Sequence, residues 1–291
     1  MKKHLILLLI CAFAHPHANA DCQPARDPSR IVVAGGSLTE ILYYLGEESR
    51  IVAVDTTSNF PAATSELPSI GYVRALSAEG LLSLEPTLIL GEDDMGPVEV
   101  VEQVERSGLE VVRVPEVQTA QGIVDKVICI ASILSMDDAE GVKAVKRSMA
   151  KLADIQTDGR RVALLLGVRD GMPLAAGSGT SGDGFLSMAG ANNIFSELEG
   201  WKPVSFESMA QADPEVIVIS SRGANQSGGV ESILKHPAIA LTVAGRQRQV
   251  VSLDGMSMLG FGPRTITTAM AFAERLASGD LVLADDTAKV R

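Results

Sequence analysis

Histidine is scarce here: the 291-residue chain holds four, and His4, His15 and His17 all fall within the first twenty positions. His236 is left alone, in a Lys-His-Pro context that reads as a solvated loop. That excludes a His-rich zinc or manganese site. It also leaves a Ser-dependent hydrolase with one candidate base, His236. No nucleophile elbow, P-loop, H-E-x-x-H or dinucleotide fingerprint occurs. The Gly-rich GSGTSGDG (177–184) lacks the Lys of a phosphate loop and reads as a plain turn, with an anion site at a helix start as the alternative. After the N-terminal region, nothing approaches the roughly twenty uninterrupted apolar residues of a membrane-spanning helix.

The first twenty residues, MKKHLILLLICAFAHPHANA, combine Lys2 and Lys3, an apolar run from Leu5 to Ala14, and Ala18 and Ala20 at A-x-A spacing. They read as a cleavable signal peptide, which implies a soluble, exported mature chain. Cleavage removes two Lys and no acid, taking the formal charge from -11 to -13, so nucleic acid is not an expected partner. Cys22 is preceded by Asp21, where a lipid-attachment motif needs a small residue, so it reads as unlipidated. Export permits a Cys22–Cys129 disulfide, but Cys129 sits in the apolar IVDKVICIASIL, and the expectation is a buried free thiol.

Short Val- and Ile-rich runs (IVVAG at 31, IVAV at 51, TLILG at 87, VVRV at 111) alternate with stretches of helical period, the pattern of parallel βα units. The alternation resumes at RVALLLGV (161), EVIVIS (215) and QVVSL (249). Between the two series, residues 136–158 carry Val142, Val145, Met149 and Leu152 at three or four spacing, which predicts a connecting helix. The segment from Ser77 to Leu90 reappears from Ser205 to Val218, each matched position 128 residues on. Each copy has a Ser N-cap, an acid in the first turn (Glu79, Glu207), an acid-Pro stop (Glu85-Pro86, Asp213-Pro214) and a buried strand. The expected organisation is a signal peptide over 1–20, an N-terminal lobe over 21–135, the helix over 136–158 and a C-terminal lobe over 159–291. Two such lobes imply a ligand held in the cleft between them.

Tyr43 and Tyr44 follow Ser37 and Glu40, which read as a capping box, and at least one of the two should face the core. Tyr72 has no helix behind it, so its phenol can project from a loop, with Arg74 on the same side if the segment is extended. Phenols have pKa values near 10 and a neighbouring Arg favours the phenolate. Tyr72 is therefore either an iron(III) ligand or a simple loop tyrosine. In the second lobe Arg169, Arg222 and Arg264 stand near strand or loop ends, where open α/β sheets bind ligands. Met256, Met258, Leu259 and Phe261, in MSMLGFG, would suit a flat apolar ligand or a core.

GGSLTEILYYLG, GYVRALSAEGLLSLEPTLIL, AGANNIF, DPEVIVIS and LGFGPRT together resemble the periplasmic haem-binding proteins of bacterial ABC haem importers, the HmuT type. These lie within a wider group that includes cobalamin- and siderophore-binding proteins. The resemblance implies an α/β class III periplasmic solute-binding protein, with two Rossmann-like lobes on a stiff helical backbone and little lobe movement. It implies no enzyme and no catalytic cofactor, with ferric haem b as transported ligand. Tyr72 matches the axial iron ligand, as tyrosinate serves in catalase, and Arg74 matches its support. Arg222, with Arg169, Met256, Met258, Phe261 and Arg264, would close from the second lobe. Where some relatives carry a second-side histidine this chain has Val168, Arg169 and Asp170, which implies a single protein ligand. Glu79 and Glu207 match the pair that docks each lobe on one subunit of an inner-membrane ABC permease, which works with its ATPase. An outer-membrane haem receptor system would stand upstream. The alternative is a ferric-siderophore or cobalamin-binding protein of the same fold.

Overall fold

The computed structural model describes residues 22–137 and 139–279; the expected signal segment, residues 1–20, lies outside them. Every Val- and Ile-rich run forms a strand. In the first lobe β1 (Ile31–Ala34), β2 (Ile51–Val54), β3 (Leu88–Glu92) and β4 (Glu110–Val114) make a parallel sheet in the order β2-β1-β3-β4. In the second lobe β5 (Arg161–Arg169) is followed by β6 (Met172–Ala176), β7 (Asn192–Asn193), β8 (Trp201–Pro203), β9 (Val216–Ser220) and β10 (Val250–Leu253). Their order is β10-β9-β5-β6-β8, with β7 beside β5. The antiparallel β6 and β8 carry Pro and Ala rather than β-branched residues, and no periodicity announced them.

The 128-residue repeat extends to the backbone. Ser77 caps the helix Ala78–Leu82 by accepting from Gly80 N, and Ser205 caps the helix Phe206–Ala212 by accepting from Ser208 N. Glu85 and Asp213, the acids before the matched prolines, both adopt left-handed backbone, with φ of 49° and 40°. A turn that reverses the chain so sharply ends each helix and starts β3 and β9.

Alternation along the strands divides the interior. Ile31 and Val33 point into a core that also takes Leu88, Leu90, Val162, Leu164, Val216 and Val218, so the inner faces of both sheets share it. Val32, Ala34 and Ile89 point into the first lobe's outer core; Ala163, Leu165, Ile217 and Ile219 point into the second lobe's. Four helices, Gly36–Leu45, Ala120–Ile133, Glu140–Ala153 and Pro263–Ser278, fill the shared core. Each buried Leu or Ile there stabilises by roughly 1.5–3 kcal/mol, so lobe separation is opposed by many such terms.

The connecting helix is shorter than 136–158. It runs Glu140–Ala153, because Ser135 in left-handed backbone (φ 60°) ends the preceding helix and the Thr157 hydroxyl donates to Gly190 O instead of continuing a helix. Cys129 is not a free thiol. It is bonded to Cys22, with Cα atoms 5.0 Å apart, because the chain after Cys22 lies along the helix Ala120–Ile133 and Ala25 N donates to Ile133 O at 2.9 Å. That bond also occupies the Cys22 sulfur.

Candidate functional site

Gly71, at φ 84°, turns the chain out of a segment whose carbonyl accepts from Thr56 N. Tyr72 O then accepts from Ala75 N at 2.8 Å, closing a tight turn, while buried Val73 and Leu76 are tied to Gly96 by backbone hydrogen bonds. The apolar pair anchors the turn and leaves Tyr72 43% exposed. Arg74 does reach Tyr72, through this turn rather than along an extended strand. Its Nη1 donates to the phenol oxygen at 3.0 Å, and its Nε donates to Asp94 Oδ2 at 2.8 Å, with Nη2 on the same oxygen. The Asp94 hydrogen bond is the largest reason Arg74 holds its proton more tightly than usual. Asp94 thus fixes a guanidinium against the phenol oxygen.

Tyr72 and Arg74 open onto an inter-lobe cavity of about 360 Å³, lined further by Thr57, Glu92, Asp93, Asp94, Glu116 and Gln118 from the first lobe. Ser181, Met256, Leu259 and Gly260 close it from the second. This volume lies within the range of small-molecule sites, roughly 300–1,000 Å³. Its lining follows the ends of three strands of the first sheet, Thr57 after β2, Glu92 to Asp94 at the end of β3 and Glu116 after β4, as expected for a ligand cleft at the carboxyl ends of a parallel sheet.

At its floor Lys126 is fully buried with all three donors used: Glu116 Oε2 at 2.9 Å, Ser37 Oγ at 3.0 Å and Phe261 O at 3.2 Å. Ser37 in turn donates to Glu92 Oε1 at 2.7 Å. Desolvation pushes the Glu92 carboxyl up to about 7, against the pull of Lys126 and with a further push from Glu116. Ser37 and Glu40 therefore do not form the expected capping box. The helix Gly36–Leu45 begins at Gly35, whose N–H donates to Asp55 Oδ1, while Gly36 N donates to Thr57 Oγ1, leaving Ser37 and Glu40 free for tertiary bonds.

The other sequence candidates divide. Met256 lines the cleft. Met258 and Phe261 do not: both are fully buried in the shared core, Met258 on the short helix Gly255–Leu259 and Phe261 just beyond it, in left-handed backbone at φ 49°. Arg264 is also displaced from the ligand list. It pairs with Glu40 and stacks over Phe60 at 3.7 Å, in a second, mostly apolar cavity of about 340 Å³ lined by Tyr43, Tyr44, Pro61 and Val145. Arg169, the last residue of β5, and Arg222, in the short helix Ser221–Gln226 after β9, stand exposed, outside the cavity lining and without an ion pair among the described residues. Glu79 and Glu207 are both exposed in the first turns of their short helices. Its own backbone N–H, then the Ser205 hydroxyl, hold the Glu207 carboxyl below the usual range. His236 is less solvated than expected: Nδ1 accepts from Ala238 N as a helix cap, and Nε2 bridges to Gly171 O. The GSGTSGDG stretch is a turn into the helix Ser181–Met188, capped by Thr180.

Glu92, Asp94, Glu116 and Lys126 were not anticipated. Two signals carried three of them, the acidic EDD directly after TLILG for Glu92 and Asp94, and a lone Lys inside an otherwise apolar helical run for Lys126; Glu116 had no local signal.

A family model described as periplasmic binding protein matches residues 31–256. The chain is similar to the solved periplasmic heme-binding protein BhuT in complex with two hemes, at 35% identity and TM-score 0.79, covering 86% of this chain and 98% of that one. HutB of Vibrio cholerae, also a periplasmic heme-binding protein, is 33% identical with TM-score 0.78 over 86% of this chain and 99% of its own. The vitamin B12-binding protein of Pectobacterium atrosepticum is 25% identical over 274 residues, 90% of this chain and 92% of that protein.

Proposed function

This chain belongs to the periplasmic binding protein family, and we propose that it captures ferric haem b in the inter-lobe cleft and delivers it to an inner-membrane ABC permease with its ATPase. It is a solute-binding protein and not an enzyme. Its location is extracytoplasmic; the finer assignment is the periplasm, reached through residues 1–20 as a cleavable signal peptide, with an outer-membrane receptor system as haem source.

One observation carries the reading: a phenol that is 43% exposed in an inter-lobe cleft and receives a guanidinium hydrogen bond at 3.0 Å. A charged donor on the phenol oxygen stabilises negative charge there, which iron(III) ligation requires. Tyr72 is assigned as axial ligand and Arg74, fixed by Asp94, as its support. Met256 lies in the cleft wall from the second lobe, and Arg169 and Arg222 supply positive charge at that lobe's rim for the ligand's carboxylates. BhuT was solved with two hemes; the chain here offers Val168, Arg169 and Asp170 where a second ligating side chain would be needed, and the assignment is one haem per chain. Glu79 and Glu207, one charge per lobe in matched positions, are assigned to the two permease subunits.

Titration of the chain from Asp21 with ferric haem tests this. A tyrosinate-type high-spin spectrum saturating at one equivalent, and lost in Tyr72→Phe, supports it. No specific haem spectrum overturns it in favour of cobalamin or a ferric siderophore, a reading favoured by the B12-binding relative at its lower identity.

A further inference from the structure

The cleft has a charge problem. Four carboxylates line it, Glu92, Asp93, Asp94 and Glu116, and two have a cationic partner: Asp94 with Arg74 and Glu116 with Lys126. Asp93 accepts from Glu116 N and stays at the wet rim. Glu92 is recessed beside the Lys126–Glu116 pair and gains one neutral donor, the Ser37 hydroxyl, on Oε1. That hydroxyl has one proton and Lys126 has spent its three, so no further donor from this network is available to Glu92. Among the described residues no side chain donates to its second oxygen. A recessed carboxylate with one neutral hydrogen bond, sharing a single buried ammonium with another carboxylate, is a group that holds a proton.

The groups facing Glu92 come from every neighbouring element. They are Lys126 from the helix Ala120–Ile133, Glu116 from the loop after β4, and Asp93 and Asp94 from its own strand end. Tyr72 and Arg74 line the same cavity from the turn before the helix Ala78–Leu82, with no hydrogen bond to Glu92 among the described residues. Asp55, after β2, is held by Gly35 N and the Thr57 and Ser58 hydroxyls. The second lobe contributes the carbonyl of Phe261, already on Lys126.

We propose that Glu92 takes up one proton from solvent when an anionic ligand enters the cleft, so that the floor is neutral towards ligand carboxylates and capture is coupled to proton uptake. This rests on the haem reading. In the free protein the carboxyl titrates at about 7, raised chiefly by desolvation. A bound dianion and the water it expels both disfavour the carboxylate, so the proton is held more tightly in the complex. By linkage, affinity is full below the free protein's titration point and declines as pH rises through it, by up to about tenfold per unit for one proton. Glu92 thereby becomes a specificity residue, admitting an anion where an ionised floor would repel it.

The test compares haem dissociation constants of the wild type and Glu92→Gln from pH 6 to pH 9. Taking the ratio cancels the titration of haem itself and every effect common to the two proteins. The ratio of wild-type to variant Kd is expected to be level near pH 6 and to climb towards about tenfold per unit above pH 7; a level ratio throughout overturns the proposal. A second readout needs no variant. Infrared difference spectra of protein labelled with [¹³C]glutamate at pH 8 should gain a protonated glutamate carboxyl band on haem addition, and its absence again overturns the proposal. A wild type that shows no haem spectrum at all instead overturns the haem reading, so the two failures are distinct.

Discussion

Arg264 grips Glu40, 224 residues earlier in the chain, from two directions: its backbone N–H donates to one carboxyl oxygen and its Nε to the other, both at 2.7 Å. The pair joins the start of the helix Pro263–Ser278 to the helix Gly36–Leu45 across the shared core. Burial raises the Glu40 carboxyl, and the charge and hydrogen bonds of Arg264 pull it back. Arg264→Leu leaves a buried carboxylate with its main counter-charge gone, a loss of about 3–5 kcal/mol near neutral pH. Without Arg264 the folded-state carboxyl stands further above its unfolded value, so the variant loses stability as pH rises from the unfolded value through the folded one. Urea midpoints at pH 5 and pH 8 should show the wild-type-to-variant gap widening at pH 8.

Arg74→Leu removes the charged hydrogen bond on the Tyr72 oxygen while leaving the turn's buried anchors, Val73 and Leu76, in place. Hydrogen bonds to charged groups are worth about 1.5–3 kcal/mol. Haem affinity should therefore fall about 10- to 100-fold, with the tyrosinate spectrum retained at saturation. Asp94→Asn should weaken binding less, because it loosens Arg74 without removing it. Spectral titration checks both.

The Cys22–Cys129 bond closes a loop with a sequence separation of 107 and ties the N-terminal segment to a core helix. Disulfides typically contribute about 2–4 kcal/mol, more for long loops. Cys22→Ser with Cys129→Ser should lower the thermal midpoint, and a reducing agent should lower that of the wild type but leave the double variant where it is. Scanning calorimetry with and without reductant reads the difference.

Glu79→Ala and Glu207→Ala touch neither the cleft nor a core. Each should leave haem titration as in the wild type yet reduce uptake in cells, with the double variant worse than either. Transport measured in vesicles carrying the permease separates docking from capture. Because the Glu207 carboxyl is held below the usual range by its own N–H and by Ser205, its charge should persist into mild acid.

How much was legible depended on whether the signal was local. Six of the seven Val- and Ile-rich runs declare strands because packing on both faces leaves a mark at consecutive positions, while the edge strand β4 is only half-buried and shows through its β-branched residues. The 128-residue repeat declared its caps and acid-Pro stops for the same reason: capping needs residues three apart. Met258 and Phe261 were misread because a glycine-flanked apolar stretch gives no period from which to tell a cleft wall from a core. Arg264 looked like a free cation because its partner lies 224 residues away.

The sequence by itself determined that there are two matched α/β halves, that a single histidine, His236, follows the first twenty residues, and that Tyr72 and Arg74 stand two residues apart just after a glycine. Tertiary structure decided what each charge does. Folding brought Asp94 onto Arg74, drew Lys126 out of an apolar helix to meet Glu116, Ser37 and Phe261, turned Arg264 away from the cleft towards Glu40, and closed Cys22 on Cys129. The physical reason is range. Strand burial and helix capping are satisfied within a few residues, whereas a buried charge takes whichever partner the packing of distant elements delivers, and its desolvation makes that partner indispensable.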